Sequence, residues 1–193
     1  MGSGELMNRK VIFIRHAERD ISVIDDEKAA PLTQKGIEQA LQLVHTIKTD
    51  FSSITAIYSS PFARAIQTVE PTAKELGIKI TEISDLRERK VGDQWIDNFD
   101  EYAQKQWGNF DYKLKNGENL HHVQKRIVKV FEELLNEPNK DIIISGHGTA
   151  LAVLFHSFSH EFVYQDWLMM KFPDLFVAEI GENQSVNKFY HYK

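Results

Sequence analysis

Two histidines occupy similar places in this sequence, each shortly after an apolar run. Arg15 and His16 follow the run at residues 11–14. Near the other end of the chain, His147 follows the run at residues 142–144, from which two residues separate it. Apolar runs that end in polar residues are typical of buried parallel strands, and ligands of open α/β sheets bind at the carboxyl ends of such strands. We therefore expect both histidines to face one crevice. The guanidinium of Arg15 indicates that an anion binds between them.

Two further side chains could complete such an anion site. Arg64 follows Ser59-Ser60-Pro61, a sequence typical of a helix start, with Ser60 predicted as the cap and Pro61 in the first turn. A guanidinium in the first turn adds its charge to the free N–H groups of the helix, a combination that favours phosphate. Glu88 follows the third predicted strand, and a carboxylic acid there could protonate a leaving oxygen.

The residues around the second histidine also fit a ligand site. Gly146 and Gly148 flank His147, and such small neighbours allow a ligand to approach the backbone closely. A helix predicted from Gly148 onward would direct the N–H groups of Gly148 and Thr149 into the crevice, which makes Gly148 a candidate phosphate-binding residue. The simpler explanation, a turn that contains a histidine, stays open at this point.

Together these side chains have the chemistry of phosphoryl transfer. A phosphate monoester dianion repels nucleophiles, so the guanidiniums of Arg15 and Arg64 would offset its charge while His16 attacks. His16 must be neutral for this step, and the neighbouring arginines should disfavour its protonation. A backbone carbonyl that accepts from Nδ1 would leave Nε2 free as the nucleophile. Each residue alone is more simply explained as a surface or structural residue, and only the combination indicates a site.

Composition excludes several other classes of protein. A net charge of −5 argues against nucleic-acid binding, because such proteins neutralise many phosphates with clustered Lys and Arg. No long apolar segment indicates a membrane span, and a chain without cysteine has no disulfide or thiol nucleophile. The absence of a signal peptide predicts a cytoplasmic protein. The length suits a single domain over residues 1–193, in which residues 1–6 resemble a cloning remnant.

Strand and helix signals alternate along the chain, which is the pattern of a layered α/β domain. The predicted strands cover residues 11–14, 54–58, 78–83 and 141–147, and a hairpin is predicted over 176–180 and 186–192. Helices are predicted over residues 33–49, from 61 to 76, from 119 onward and over 148–158. Between them, residues 88–119 lack a clean period and are rich in aromatic side chains. We expect residues 92–117 to form an irregular, partly helical insertion near the site.

Six short motifs are spread over residues 10–155. They are Arg15-His16-Ala17-Glu18, Pro31-Leu32-Thr33 with Gly36 and Gln39-Ala40, Ser59-Ser60-Pro61 with Arg64-Ala65 and Gln67-Thr68, Leu86 with Glu88, Gly117-Glu118, and Gly146-His147-Gly148. Their content and order resemble the histidine phosphatase superfamily, in its phosphoglycerate mutase-like branch. The resemblance implies a three-layer α/β/α fold with a mostly parallel central sheet.

The same resemblance implies roles for individual residues. It makes His16 the nucleophile and Glu88 the proton donor, with Arg15, Arg64 and His147 as the phosphate pocket. The implied activity is that of a histidine acid phosphatase-type phosphomonoester hydrolase, which acts on a small phosphorylated substrate through a phosphohistidine. Neither a cofactor nor a metal is implied.

Three alternatives remain open. Cofactor-dependent mutases of the family carry a longer insertion and a Trp-Asn pair where this chain has Ile21-Ser22, which favours a phosphatase. A phosphate-binding or regulatory scaffold without turnover would keep the same pocket. A metallohydrolase could use some of the eight histidines, such as the pair His156 and His160, although no third ligand is evident. The oligomeric state is not indicated.

Overall fold

The computed structural model of the protein describes residues 9–22, 28–93 and 96–193. Its strands and helices are, in chain order, β1 (Arg9–Arg15), α1 (Gln34–Asp50), β2 (Ile54–Ser59), α2 (Ala63–Leu76), β3 (Ile80–Glu82), a 3-10 helix (Ser84–Leu86), α3 (Phe99–Gly108), α4 (Leu120–Leu135), β4 (Asp141–Gly146), α5 (Gly148–Phe158), α6 (Tyr164–Met169), β5 (Asp174–Ile180) and β6 (Val186–His191). The predicted cloning remnant at residues 1–6, and residues 94–95 of the predicted insertion, lie outside the described residues.

One sheet in the order β3-β2-β4-β1-β5-β6 organises the described residues. The first four strands of that order pair in parallel, whereas β5 pairs antiparallel with both β1 and β6. The sheet is therefore mostly parallel, as predicted. The predicted C-terminal hairpin is β5 and β6, and its first strand also covers the second edge of β1. This places β1 in the interior of the sheet, between β4 and β5.

The strand β1 is buried on both faces. Val11 and Phe13 pack in one cluster with apolar side chains of α4 and α5, and Ile12 and Ile14 pack in another with those of α1 and α2. Because successive side chains of a strand point to opposite faces, a strand between two layers of helices must be apolar throughout. This three-layer arrangement explains the unbroken apolar run before His16.

The start of α2 differs from the prediction. The helix begins at Ala63 and its N-cap residue, Phe62, makes no side-chain cap hydrogen bond. Ser60 lies before the helix: its N–H donates to the carbonyl of Ser145 (3.0 Å) on β4, and its hydroxyl accepts from the N–H of Phe62 (3.3 Å), which precedes the first turn. The same hydroxyl contacts His147 (2.7 Å), a tertiary partner that local sequence could not reveal.

Two of the helices, α3 and α6, lie outside the helices predicted from the sequence. The segment predicted as an insertion, residues 92–117, contains α3. No pattern in the sequence indicates α6, because a helix of six residues is too short to show a period. None of the helices among the described residues is both long and apolar enough to cross a bilayer.

Candidate active site

The carboxyl ends of β1 and β4 lie side by side at one edge of the sheet. Arg15 pairs in register with Gly146, and the N–H of His16 donates to the carbonyl of Gly146 (3.0 Å). The ring centroids of His16 and His147 are consequently 5.3 Å apart. Parallel pairing thus brings together two histidines that are more than a hundred residues apart in sequence.

The imidazole of His16 is held in one tautomer. Its Nδ1 lies 2.7 Å from the carbonyl oxygen of Ala17. Since a carbonyl can only accept, Nδ1 carries the hydrogen and Nε2 carries the lone pair. Nε2 accepts a hydrogen bond from Nε of Arg64 (3.2 Å). The lone pair of the buried ring is therefore directed at a guanidinium.

The surroundings of His16 keep its imidazole neutral. Burial holds its pKa well below the ordinary value, and the charges of Arg64, Arg15 and Arg19 act in the same direction. The Ala17 carbonyl opposes this shift, because it accepts from the protonated form as well. The net direction leaves the imidazole unprotonated at neutral pH.

Arg64 lies in the first turn of α2, as the sequence predicts. Its side chain is 1% exposed, and its guanidinium carbon lies 4.9 Å from the centroid of the Phe62 ring. The hydroxyl of Thr68, one turn further along the helix, donates to the Arg64 carbonyl (2.7 Å). Helix geometry and packing therefore direct this guanidinium toward His16.

His147 is completely buried and contacts Ser60. Nε2 of His147 lies 2.7 Å from the Ser60 hydroxyl, which itself accepts from the N–H of Phe62 (3.3 Å). When that hydroxyl donates to Nε2, the ring hydrogen is on Nδ1, a buried atom with no hydrogen-bond partner among the described residues. Burial, followed by the neighbouring His16 and Arg64, holds the pKa of His147 well below its ordinary value. The ring is therefore neutral and can offer one N–H.

The guanidinium of Arg15 is closely packed by its neighbours. The Phe172 ring centroid lies 3.7 Å from its central carbon, and a methyl group on Gly148 would come within 3.1 Å of the same group. Nη1 donates to the carbonyl of Met170 (2.7 Å), and the buried Nε has no partner among the described residues. Gly148 thus has a role that the sequence did not suggest: its missing side chain leaves room for Arg15.

Two carboxylates lie close enough to influence Arg15. Burial lowers the pKa of Arg15 to about 10, and the charges of Glu88 and Asp174 oppose that shift. Asp174 pairs with Arg15 in the β1–β5 register and accepts from His191 (2.6 Å). Arg15 is therefore still positively charged at neutral pH.

Glu88 lies at the amino end of α5. Its Oε1 accepts from the N–H groups of Arg89 (2.7 Å) and Ala150 (3.0 Å), and its Oε2 accepts from that of Thr149 (3.0 Å). The prediction that the Thr149 amide points at a ligand is wrong, because this amide donates to Glu88. Oε2 accepts a single N–H, so it is the oxygen with room for a proton.

Several motif residues without chemical roles hold the loop that follows His16. The N–H of Ala17 donates to the Thr68 hydroxyl (2.9 Å), and that of Glu18 donates to Oε1 of Gln39 (3.0 Å). A methyl group on Gly36 would lie 2.1 Å from the Glu18 carbonyl oxygen, so only glycine fits there. These contacts explain why the motifs accompany His16.

Phe172 is a site residue that the sequence analysis missed. Its ring centroid is 5.3 Å from that of His16, the residue is 40% exposed, and its carbonyl accepts from Nε2 of Gln39 (2.7 Å). It lies just before β5, which reaches the site only because β5 pairs antiparallel with β1. No local pattern marks such a residue, because a long-range strand pairing brings it to the site.

The other histidines considered as metal ligands are packed differently. Nδ1 of His156 lies 2.8 Å from the Phe162 carbonyl, and its ring contacts that of His160 with centroids 5.0 Å apart. Trp107 and Phe110 also pack on His156. Within residues 9–22, 28–93 and 96–193, no three His, Asp or Glu side chains are grouped as a metal ion would require.

Comparisons with known proteins agree with this architecture. The probable phosphoglycerate mutases GpmB of Citrobacter koseri and of Escherichia coli O1:K1 are 30% and 29% identical to the chain, over 75% of it and 72% of their own length. A mycobacterial glucosyl-3-phosphoglycerate phosphatase in complex with VO3 has a TM-score of 0.75 at 17% identity, covering 96% of this chain and 98% of that one. A variant of phosphoserine phosphatase from Entamoeba histolytica, in complex with phosphoserine, has a TM-score of 0.74 at 21% identity, covering 93% and 95%.

A family model covers nearly the whole chain. The model of the histidine phosphatase superfamily, branch 1, matches residues 11–186. This range includes both strand-end histidines and every motif on which the resemblance depends. The chain belongs to the histidine phosphatase superfamily.

Proposed function

We propose that the protein is a phosphomonoester hydrolase that acts through a phosphohistidine on His16 and needs no metal. One observation carries this proposal most strongly. Nε2 of His16 carries the lone pair of the ring and accepts from Nε of Arg64 (3.2 Å), and both side chains are buried. A phosphoryl group bound by that guanidinium would lie within reach of the nucleophile.

The pocket can offset the charge of a phosphate dianion. Arg64 and Arg15 each contribute a positive charge, and the buried Nε of Arg15 is available to an oxygen of the substrate. His147 would donate from Nδ1, because Ser60 occupies Nε2. The N–H of Gly148, at the start of α5, is proposed as a further donor. Hydrogen bonds in a buried site stabilise developing charge more than they would in water.

Two steps complete the reaction. Nε2 of His16 forms a bond to phosphorus while the bond between phosphorus and the leaving oxygen breaks, and Glu88 gives that oxygen a proton. Water then attacks the phosphohistidine, the nitrogen–phosphorus bond breaks, and the Glu88 carboxylate takes a proton from the water. Inorganic phosphate leaves, and His16 and Glu88 return to their starting forms.

Phosphoryl transfer of the mutase type is the second candidate function. The curated relatives are named probable phosphoglycerate mutases, and the chain is 29–30% identical to them. The pocket suits both reactions, since each begins with attack by a histidine. The structural neighbours named as phosphatases share the fold at less than 25% identity, so they add no evidence on the substrate.

Phosphate release in the presence of EDTA tests the proposal. Purified protein should release phosphate from p-nitrophenyl phosphate with EDTA present, and His16→Ala should not. A rapid quench should trap an acid-labile, base-stable phosphoryl group. Label on another residue, or release that does not need His16, would contradict the mechanism.

A direct comparison separates the two candidate functions. Interconversion of 2- and 3-phosphoglycerate, measured beside phosphate release, distinguishes a mutase from a hydrolase. Faster interconversion than release would favour the mutase. A folded protein that binds phosphate but shows neither activity would instead be a scaffold.

A further inference from the structure

The Gly117-Glu118 motif has no role in the two chemical steps, yet it is built into the site. Glu118 precedes α4, and its carboxylate forms a bidentate pair with Arg126 of that helix. Oε1 of Glu118 lies 3.0 Å from Nε of Arg126, and Oε2 lies 3.1 Å from Nη2. The two side chains are only 17% and 10% exposed. Such a shielded pair fixes the direction of the guanidinium.

The outer edge of that guanidinium binds the backbone segment that carries Glu88. Nη1 of Arg126 donates to the carbonyls of Asp85 (2.6 Å) and Arg87 (2.9 Å), and Nη2 donates to that of Glu88 (3.3 Å). One side chain on α4 thus binds three carbonyls of a segment that has only a three-residue 3-10 helix as regular structure.

Glu118 fixes the same segment on the other side of Glu88. Its N–H donates to the Lys90 carbonyl (2.8 Å), and its Oε2 accepts from the Lys90 N–H (2.9 Å). Its Oε1 also accepts from Nη2 of Arg87 (2.9 Å). A methyl group on Gly117 would lie 2.2 Å from the Val91 carbonyl oxygen, so glycine is needed for this close approach.

We propose that Arg126 and Glu118 are positioning residues that set the place of the Glu88 carboxyl group. The pair fixes the backbone on both sides of Glu88, and the amides of α5 then orient its oxygens. Neither residue touches the reacting atoms, so both act through Glu88. This inference rests on the proposed function, in which Glu88 protonates the leaving oxygen.

A series of leaving groups tests the inference. Alkyl phosphates need a proton on the leaving oxygen, whereas p-nitrophenolate leaves without one. Arg126→Lys keeps the charge but loses the planar fork, and Glu118→Gln keeps the shape but loses the charge. Glu88 also acts when water attacks the phosphohistidine, a step shared by all substrates, so the ratio is taken from kcat/KM, which reports only the steps up to phosphorylation of His16. Each variant should lower the ratio of kcat/KM on an alkyl phosphate to kcat/KM on p-nitrophenyl phosphate by roughly 10-fold or more, since a misplaced group can cost about 100-fold. Loss of folded protein alone would lower both rates equally and leave the ratio unchanged.

Arg9 provides a matched control for Arg126. Its guanidinium also donates to backbone carbonyls, those of Leu134 and Leu135 (both 2.9 Å), but it does so at the first residue of β1, at the end of the strand opposite His16. Arg9→Lys should therefore leave the ratio unchanged, even if it lowers the melting temperature.

The outcomes distinguish this inference from the proposed function. If Glu88→Gln lowers the ratio while Arg126→Lys and Glu118→Gln both leave it at the wild-type value, the positioning role is overturned and the mechanism stands. Equal changes in the Arg9 and Arg126 variants would also overturn it. If Glu88→Gln itself leaves the ratio unchanged, the role of Glu88 in the proposed function fails, and the inference fails with it.

Discussion

The two halves of the site are held in place in different ways. His16, Arg15 and His147 lie at the ends of adjacent strands, where the sheet's own hydrogen bonds place them. Glu88 lies on a segment outside the sheet, and its place depends on side chains such as Arg126. A group held by the sheet can move only if the core moves. A group held by side chains can be displaced by a single substitution elsewhere. Substitutions should therefore affect the activity of the two halves in different ways.

Removal of the nucleophile should have the largest effect. His16→Ala takes away the only proposed site of phosphorylation, so kcat should fall by roughly 10⁴-fold or more for every leaving group. Phosphate release from an alkyl and an aryl phosphate measures this. His122→Ala, on the exposed face of α4, serves as the control and should keep wild-type activity. A large loss with only one of the two substrates would contradict the role of His16.

Removal of the acid should have a smaller and more selective effect. Glu88→Gln keeps the size of the side chain but cannot supply the proton, so alkyl phosphates should react about 10²–10⁴-fold more slowly. The rate with p-nitrophenyl phosphate should fall much less, because that leaving group needs no proton. The two rates, measured under single-turnover conditions, check this. Equal losses would mean that Glu88 acts on binding or on folding instead.

The half of the site that contains His16 should set the pH dependence of kcat/KM. Burial and Arg64 lower the pKa of His16, so its nucleophilic form should persist as pH falls through 6.5, where a free histidine would become protonated. A profile of kcat/KM against pH, corrected for substrate ionisation, checks this acid limb. A remaining acid limb centred near 6.5 would contradict the direction given for His16.

The smallest effect is expected at Phe172. Phe172→Leu keeps an apolar side chain but loses the aromatic face over Arg15, a contact worth about 0.5–1 kcal/mol when exposed. Inorganic phosphate should therefore bind about two- to fivefold more weakly, as measured by calorimetry. Phe99→Leu is the matched control, because Phe99 is equally exposed and lies 5.3 Å from Arg89. Equal losses in both variants would argue against a specific role.

Much of the fold was predictable because its signals are local. The apolar run before His16, and the period of α1 and α4, reflect burial against neighbouring layers. The predicted start of α2 was too early. Serine is a typical N-cap residue, but the hydroxyl of Ser60 contacts His147 and the helix begins at Ala63. The six-residue α6 left no pattern to find.

The sequence itself indicates which side chains are suited to phosphoryl transfer, and that His16 and His147 follow two similar strands. This is possible because a strand buried between two layers of helices requires a continuous run of apolar residues. The distance between the two histidines, the tautomer of each ring and the contacts of Arg15 depend on strand order. Strand order is in turn set by packing across the whole sheet. The same is true of the place of Glu88. Its partners lie tens of residues away, and only folding brings them together.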